Sequence, residues 1–161
     1  MDQTTLDFLE QSNWIEGVTD GDSLDQAVLA WKYLVKQKEI TVPVVLKTHK
    51  ILMLHQHLQP DQKGYFRKIP VYIGGREGLP VFAIREKMEE WVLDAMTSVK
   101  VPGKDGENIN LDHIQYEKIH PFVDGNGRTG RMFMNWTRLK AGLPILVIWE
   151  QDRFEYYKWF K

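Results

Sequence analysis

The chain has 161 residues, 43% of them apolar and 27% charged, with 21 Lys and Arg against 22 Asp and Glu for a net charge of -1. That length supports a single hydrophobic core, and the proportions exclude a disordered or collagen-like chain. The even charge balance argues against a dedicated nucleic-acid binder, no apolar stretch is long enough to span a membrane, and the lack of cysteine excludes disulfides, thiolate zinc sites and a Cys nucleophile.

In chain order, Met1-Asp2-Gln3 lacks the basic and apolar regions of a signal peptide, and with no cysteine the reading is a cytoplasmic protein. Ser12 and Glu16 lie one helical turn apart on a polar helix end, with Gly17 as a natural C-cap. Ser23-Leu24-Asp25-Gln26 reads as a capping box, and Leu24, Ala27, Val28, Trp31, Leu34 and Val35 form one apolar face behind it. Pro43 opens a second core helix and Pro80 a third, whose stripe is Val81, Ile84, Met88, Trp91, Val92 and Met96. Between them, Phe66 to Gly75 combines aromatic and β-branched residues with two terminal glycines, the pattern of a short hairpin. Further helices are predicted over 111–119 and 126–141, the latter ended by Gly142 and Pro144, and a last one begins near Gln151. The fold class is therefore mainly α with one small β excursion. His55-Gln56-His57 has a metal-like spacing but no third ligand, His49 reads as a helix-surface or packed histidine, and the six Trp read mostly as core.

Residues 120–131 concentrate the chemistry: His-Pro-Phe-Val-Asp-Gly-Asn-Gly-Arg-Thr-Gly-Arg. His120 ends one helix and suits a general base near neutral pH. Asp124 is a hard carboxylate of the kind that Mg²⁺ accepts beside phosphate oxygens and water. Gly125, Asn126 and Gly127 can wrap backbone N–H groups into an anion nest where the next helix begins. Arg128 and Arg131 stand three apart and project from nearly one face, so two guanidinium forks join that nest. Base, metal ligand and polyphosphate cradle together imply nucleotide-dependent group transfer. Gly125 to Gly130 also matches a dinucleotide-binding fingerprint, but no buried strand precedes it. An EF-hand register would put Phe122 and Phe133 where acidic ligands are required.

His-Pro-Phe-x-Asp-Gly-Asn-Gly-Arg-x-x-Arg resembles the complete active-site motif of the Fic (Fido) family, with every fixed position present. The resemblance implies a helical core flanking the motif and a single Fic domain over 1–161. It implies transfer of AMP from ATP-Mg²⁺ to a Ser, Thr or Tyr hydroxyl of a target protein. Carried over, His120 deprotonates the hydroxyl and Asp124 holds Mg²⁺. The run Gly125, Asn126, Gly127, Arg128, Thr129, Gly130 and Arg131 binds the nucleotide, with Arg131 at the γ-phosphate. Residues 64–75, with Gly64-Tyr65-Phe66-Arg67 and Val71-Tyr72-Ile73-Gly74, look like the family's flap. That hairpin holds the target by strand-like pairing, and Val71, Tyr72, Ile73 and Gly74 border the nucleotide. His113, Tyr116 and Ile119 resemble the helix leading into the motif, and Tyr156 or Tyr157 would border the adenine.

Ser12-Asn13-Trp14-Ile15-Glu16-Gly17 is similar to the inhibitory pattern of the subclass with an N-terminal inhibitory helix (class II), placed here over about 5–20. In that reading Glu16 pairs with Arg131 and takes the guanidinium that the γ-phosphate needs, leaving the α-phosphate misaligned. The expected partners are ATP and a target protein docked on the flap, with no nucleic acid and no membrane; a homo-oligomer stays open. So do transfer of another nucleotide or phospho-group, AMP removal at the same site, and a non-catalytic nucleotide-responsive module, although Gly127 favours nucleotidyl over phosphoryl transfer. The chain stops at Lys161, where relatives usually continue through more helix, which puts nucleotide selectivity in question.

Overall fold

The computed structural model describes residues 1–161. Helix α1 (Gln3–Ile15) starts at Asp2, whose carboxylate accepts the Thr5 N–H at 2.8 Å. Helix α2 (Gly21–Leu34) starts two residues before the predicted box. Asp20 is its cap: Oδ1 accepts the Ser23 N–H and Oδ2 the Ser23 hydroxyl, each at 2.8 Å. An Asp one turn upstream satisfies the same orphan donors, so Ser23 becomes a buried first-turn residue instead of the cap. Helix α3 (Val42–Leu52) is capped by Thr41, and Pro43 sits in its first turn.

The hairpin is present but displaced along the chain. Its strands are β1 (Tyr72–Ile73) and β2 (Arg76–Glu77), antiparallel, with Tyr72 opposite Glu77 and Ile73 opposite Arg76. Gly74 and Gly75 form the turn between the strands, both at positive φ, so they are the hairpin's middle and not its end. A 3₁₀ turn over Val81–Ala83 leads from Pro80 into α4 (Ile84–Lys100). Helix α5 runs Glu107–Ile119, four residues longer at its start than predicted, and α6 runs Asn126–Lys140. Gly142, at φ +78, turns the chain just past α6. The last helical segment is broken: α7 (Arg153–Tyr157) lies between two 3₁₀ turns.

Helix α6 is the axis of the molecule. Twelve of its fifteen residues are buried, including Arg128, Arg131 and Arg138, so its neighbours must surround it. Helices α1, α3, α4 and α5 do so. Phe133 of α6 meets Trp91 and Tyr116 with Trp136 in the same buried cluster, while Phe8 and Trp31 pack edge-to-face across α1 and α2. Burying each such side chain is worth about 1.5–3 kcal/mol. Of the six Trp, Trp31, Trp91 and Trp136 are core, whereas Trp14 and Trp149 are exposed. No helix is long and apolar enough to cross a membrane. The wide burial of α6 fixes the direction of its N-terminus, and the site is built there.

Candidate active site

Helix α5 ends at His120, which takes the left-handed conformation (φ 49°, ψ 63°). That is an uncommon state for a residue with a Cβ, and surrounding contacts must hold it. It breaks the helix and turns the imidazole into a cleft of about 380 Å³. Its Nδ1 lies 3.3 Å from the Glu117 carbonyl and 3.8 Å from the Glu117 carboxylate. Burial lowers the imidazole's pKa, so the ring is neutral near pH 7. A proton on Nδ1, donated to the Glu117 carbonyl, leaves the Nε2 lone pair free.

The loop after His120 closes on itself. Asn126 accepts the Phe122 N–H and donates to the Phe122 carbonyl, both at 2.8 Å, which commits its side chain to loop shape. Gly125 sits at φ +80°, and a Cβ there would come within 2.7 Å of Met53 Sδ, so only glycine fits. The Gly125 N–H reaches Asp124 Oδ1 at 2.6 Å. Arg128 is 2% exposed, with Nη2 at 3.6 Å from Asp124 Oδ2, while Nε and Nη1 have no partner. A buried guanidinium with spare donors beside a helix N-terminus is the electrostatics of an anion site. Asp124, Gly125, Asn126, Gly127 and Arg128 line a second cavity of about 90 Å³. It adjoins the larger cleft, and Glu16, His120 and Gly127 border both.

Thr129 and Gly130 face α5 instead of the cleft. The Thr129 hydroxyl lies 2.8 Å from both Tyr116 Oη and the Gly125 carbonyl, and a Cβ on Gly130 would press on His113, Tyr116 and Glu117. Of the hairpin residues, Ile73 lines the cleft, together with Arg76, Glu77, Gly78 and Leu79 beyond the predicted segment. Val71, Tyr72 and Gly74 do not line it. Tyr156 and Tyr157 both do. Tyr156 is also a structural node, its hydroxyl 2.7 Å from His113 Nε2 and accepting from Arg131 Nη1 at 3.2 Å.

Arg131 is 2% exposed and fully engaged. Nη2 donates to Glu16 Oε1 at 2.7 Å and to the Ser12 carbonyl at 2.9 Å, and Nε donates to Ser12 Oγ at 2.9 Å. Burial opposes its charge, but Tyr156, Glu16 and Glu117 outweigh that and hold its pKa above the ordinary value. Glu16 Oε1 also occupies the space that a Cβ on Gly127 would need. Residues 119 positions apart thus meet in one ion-pair network at the junction of the two cavities.

Three residues outside the predicted site belong to this arrangement. His49 is wholly buried and stacked on Phe122, with centroids 3.6 Å apart; its Nε2 lies 2.8 Å from the Asp124 carbonyl. Arg67 ties the hairpin to the His120 backbone. Glu117 lines the cleft as a buried carboxyl whose pKa burial raises to about 7. Only Arg67 carried a local signal, a cation inside an apolar segment.

A family model described as the Fic/DOC family matches residues 40–137. The chain belongs to the Fic/DOC family. Proteins named "Protein adenylyltransferase Fic" are similar to it: one from Drosophila willistoni is 34% identical over 157 residues, and one from Drosophila virilis 36% over 155. Each match covers 88% of this chain but only 30–31% of the relative, so the chain spans about a third of those proteins. Among solved structures, a Fic domain containing signaling protein from Bacteroides thetaiotaomicron aligns with TM-score 0.82 at 20% identity, covering 98% of this chain and 70% of that one. Fic-1 (aa134–508) from C. elegans aligns with TM-score 0.82 at 22% identity, covering 98% and 55%. The mainly helical architecture with its small hairpin is thus the Fic fold.

Asp124 is the loop's own carboxylate, Glu16 reaches the same cavity from the end of α1, and nowhere do three His, Cys, Asp or Glu gather as a metal cage. That donor set fits a Mg²⁺ that keeps its waters and takes its other ligands from phosphate oxygens.

Proposed function

We propose that residues 1–161 act as one Fic domain that transfers AMP from ATP to a hydroxyl of a target protein, with α1 as its brake. The observation that supports this most is the convergence of the His120 ring, the Asp124–Arg128 nest and Arg131 on two adjoining cavities. The nest amides and Arg128 bind the phosphate chain and hold the α-phosphorus in place. A target hydroxyl gives its proton to His120 Nε2 as its oxygen attacks the α-phosphorus and pyrophosphate leaves. The neutral imidazole suits that task near pH 7. Mg²⁺, carried on Asp124 with the phosphates, supplies charge neutralisation. Ile73 and the hairpin beside it form the edge along which a target segment lies as an added strand.

In the braked state Glu16 holds the Arg131 donor that a γ-phosphate would take. Its carboxylate also crowds Gly127, next to the phosphate site. ATP placed against it sits out of line, and misplacement by about 1 Å costs on the order of a hundredfold in rate. The test is self-labelling with α-³²P-ATP and Mg²⁺ in the wild type, Glu16→Gly, and Glu16→Gly with His120→Ala. We expect Glu16→Gly to label at least about tenfold above wild type, and the double variant to be silent. Equal labelling of wild type and Glu16→Gly would remove the brake, and silence in all three would remove adenylyl transfer.

A further inference from the structure

The hairpin at the cleft is too small to hold itself. Its ladder is two residue pairs, both strands are exposed, and a glycine pair makes the turn. An isolated two-stranded ribbon of that length is unstable in water, so its base must be fastened. One hydrogen bond closes the base, from Gly78 N to Val71 O at 2.8 Å. Phe66 and Leu79 pack the flanking chain on the core, and the side-chain hydrogen bonds that fasten the base all come from one residue. Arg67 is 2% exposed, makes no ion pair, and spends its guanidinium on main-chain carbonyls. Nη1 donates to Ile69 O at 3.0 Å and Nη2 to Leu79 O at 2.6 Å, one acceptor in each leg of the hairpin. Nε donates to His120 O at 2.7 Å, and Nη2 also approaches Ile119 O at 3.4 Å. The Arg67 backbone N–H reaches Pro121 O at 2.8 Å.

Those last acceptors are the orphan carbonyls at the C-terminus of α5, where a cation is favoured by the helix dipole. A planar fork with five donors can serve several carbonyls in different directions, which a Lys ammonium on a single stem cannot. His120 needs such an anchor, because its left-handed backbone persists only when its surroundings over-determine it.

We infer that Arg67 is a positioning residue that locks both legs of the hairpin to the backbone of His120, so that a strand laid on the hairpin presents its hydroxyl to the His120 ring at a fixed distance. This rests on the adenylyl-transfer reading for its consequence and on the contacts alone for the lock. Arg67 touches neither the nest nor Arg131, so its loss acts first on the acceptor side of the reaction and leaves the phosphate-binding groups in place.

The test compares Arg67, Arg67→Lys and Arg67→Met in the Glu16→Gly background. Hydrogen exchange reads the Gly78 and hairpin amides, titration with ATP-Mg²⁺ reads affinity, and α-³²P-ATP reads the labelling rate at saturating ATP. For Arg67→Met we expect hairpin exchange at least about tenfold faster, labelling about a hundredfold slower, and ATP affinity within about threefold. Arg67→Lys falls between, and it carries the test if Arg67→Met does not fold. Unchanged exchange overturns the lock. A labelling loss matched by an equal loss of ATP affinity overturns the positioning role, since damage to the fold alone would produce it. If the Glu16→Gly parent does not label, adenylyl transfer falls while the exchange comparison still judges the lock.

Discussion

His49 shows how much one side chain outside the motif contributes. The Gly64 N–H donates to its Nδ1 at 2.9 Å, so Nδ1 is an acceptor and Nε2 must carry the proton given to the Asp124 carbonyl. The buried ring has one usable tautomer, and burial lowers its pKa to about 4, which keeps it neutral. It joins α3, the segment entering the hairpin and the phosphate loop through two bonds. Removing both bonds leaves the Gly64 N–H and the Asp124 C=O, both at partly exposed residues, without that partner, at about 1 kcal/mol each. His49→Leu is therefore expected to lower urea stability by about 1–3 kcal/mol, and to weaken ATP binding because the Asp124 carbonyl is released. His49→Gln, which can restore one bond, should recover part of both. Titration with ATP-Mg²⁺ beside urea melts would decide, and a His49→Leu protein as stable and as avid as wild type would refute the account.

At the scale of elements, α1 is held by its apolar face far more than by the Glu16–Arg131 ion pair. Phe8, Leu9 and Ile15 are nearly fully buried, at about 1.5–3 kcal/mol each, whereas the Glu16 carboxylate is 38% exposed and its ion pair is partly screened. Losing Glu16 frees Arg131 without undocking the helix. Amide exchange over Gln3–Ile15 is thus expected to match wild type in Glu16→Gly, while Phe8→Ala loses about 3–5 kcal/mol of stability. Fast α1 exchange in Glu16→Gly would mean that the helix itself leaves. The same elements show what the sequence could reveal. Apolar periodicity located the core helices, because a 3.6-residue stripe needs no distant partner to be read. Local sequence signals misjudged the start of α2, where Asp20 and Ser23 compete for one cap, and they ended the hairpin too early, at Gly75, because two glycines suit a turn's middle as well as its end. Residues 120–131 were legible because their chemistry is contiguous. The roles of His49 and Arg67 were not, since each depends on a distant segment brought to the loop, and Glu117, three residues from His120, stands out only once the fold buries its carboxyl.

Across the whole molecule, the buried titratable groups pull stability in opposite directions with pH. His49 and His113 have pKa values lowered by burial to about 4 and about 3, below their unfolded value near 6.5. Their contribution is complete above pH 6.5 and is lost as pH falls through the folded values. Burial raises Glu117 to about 7 from 4.5, despite Arg131 and with Glu16 adding to the rise. The folded state holds that proton more tightly, so its contribution is complete below pH 4.5 and is lost as pH rises through about 7. Asp112, raised by burial to about 6, declines alongside Glu117, so from about pH 5 to 6 two carboxyls oppose two histidines and the wild-type curve is expected to be nearly flat. Glu117→Gln removes one of them. Between about pH 5 and 8 it should gain about 3 kcal/mol relative to wild type, since each tenfold change in proton affinity is worth about 1.4 kcal/mol, read by denaturant melts at each pH. Parallel curves for the two proteins would show that Glu117 does not hold that proton. Glu16, the proposed brake, enters the same balance. Glu16 is one of the charges that keep Glu117 protonated, so Glu16→Gly lowers the folded pKa of Glu117 and shortens the decline at its alkaline end. A carboxyl withdrawn from Arg131 is thereby felt as charge on the residue beside His120, within the cleft that both line.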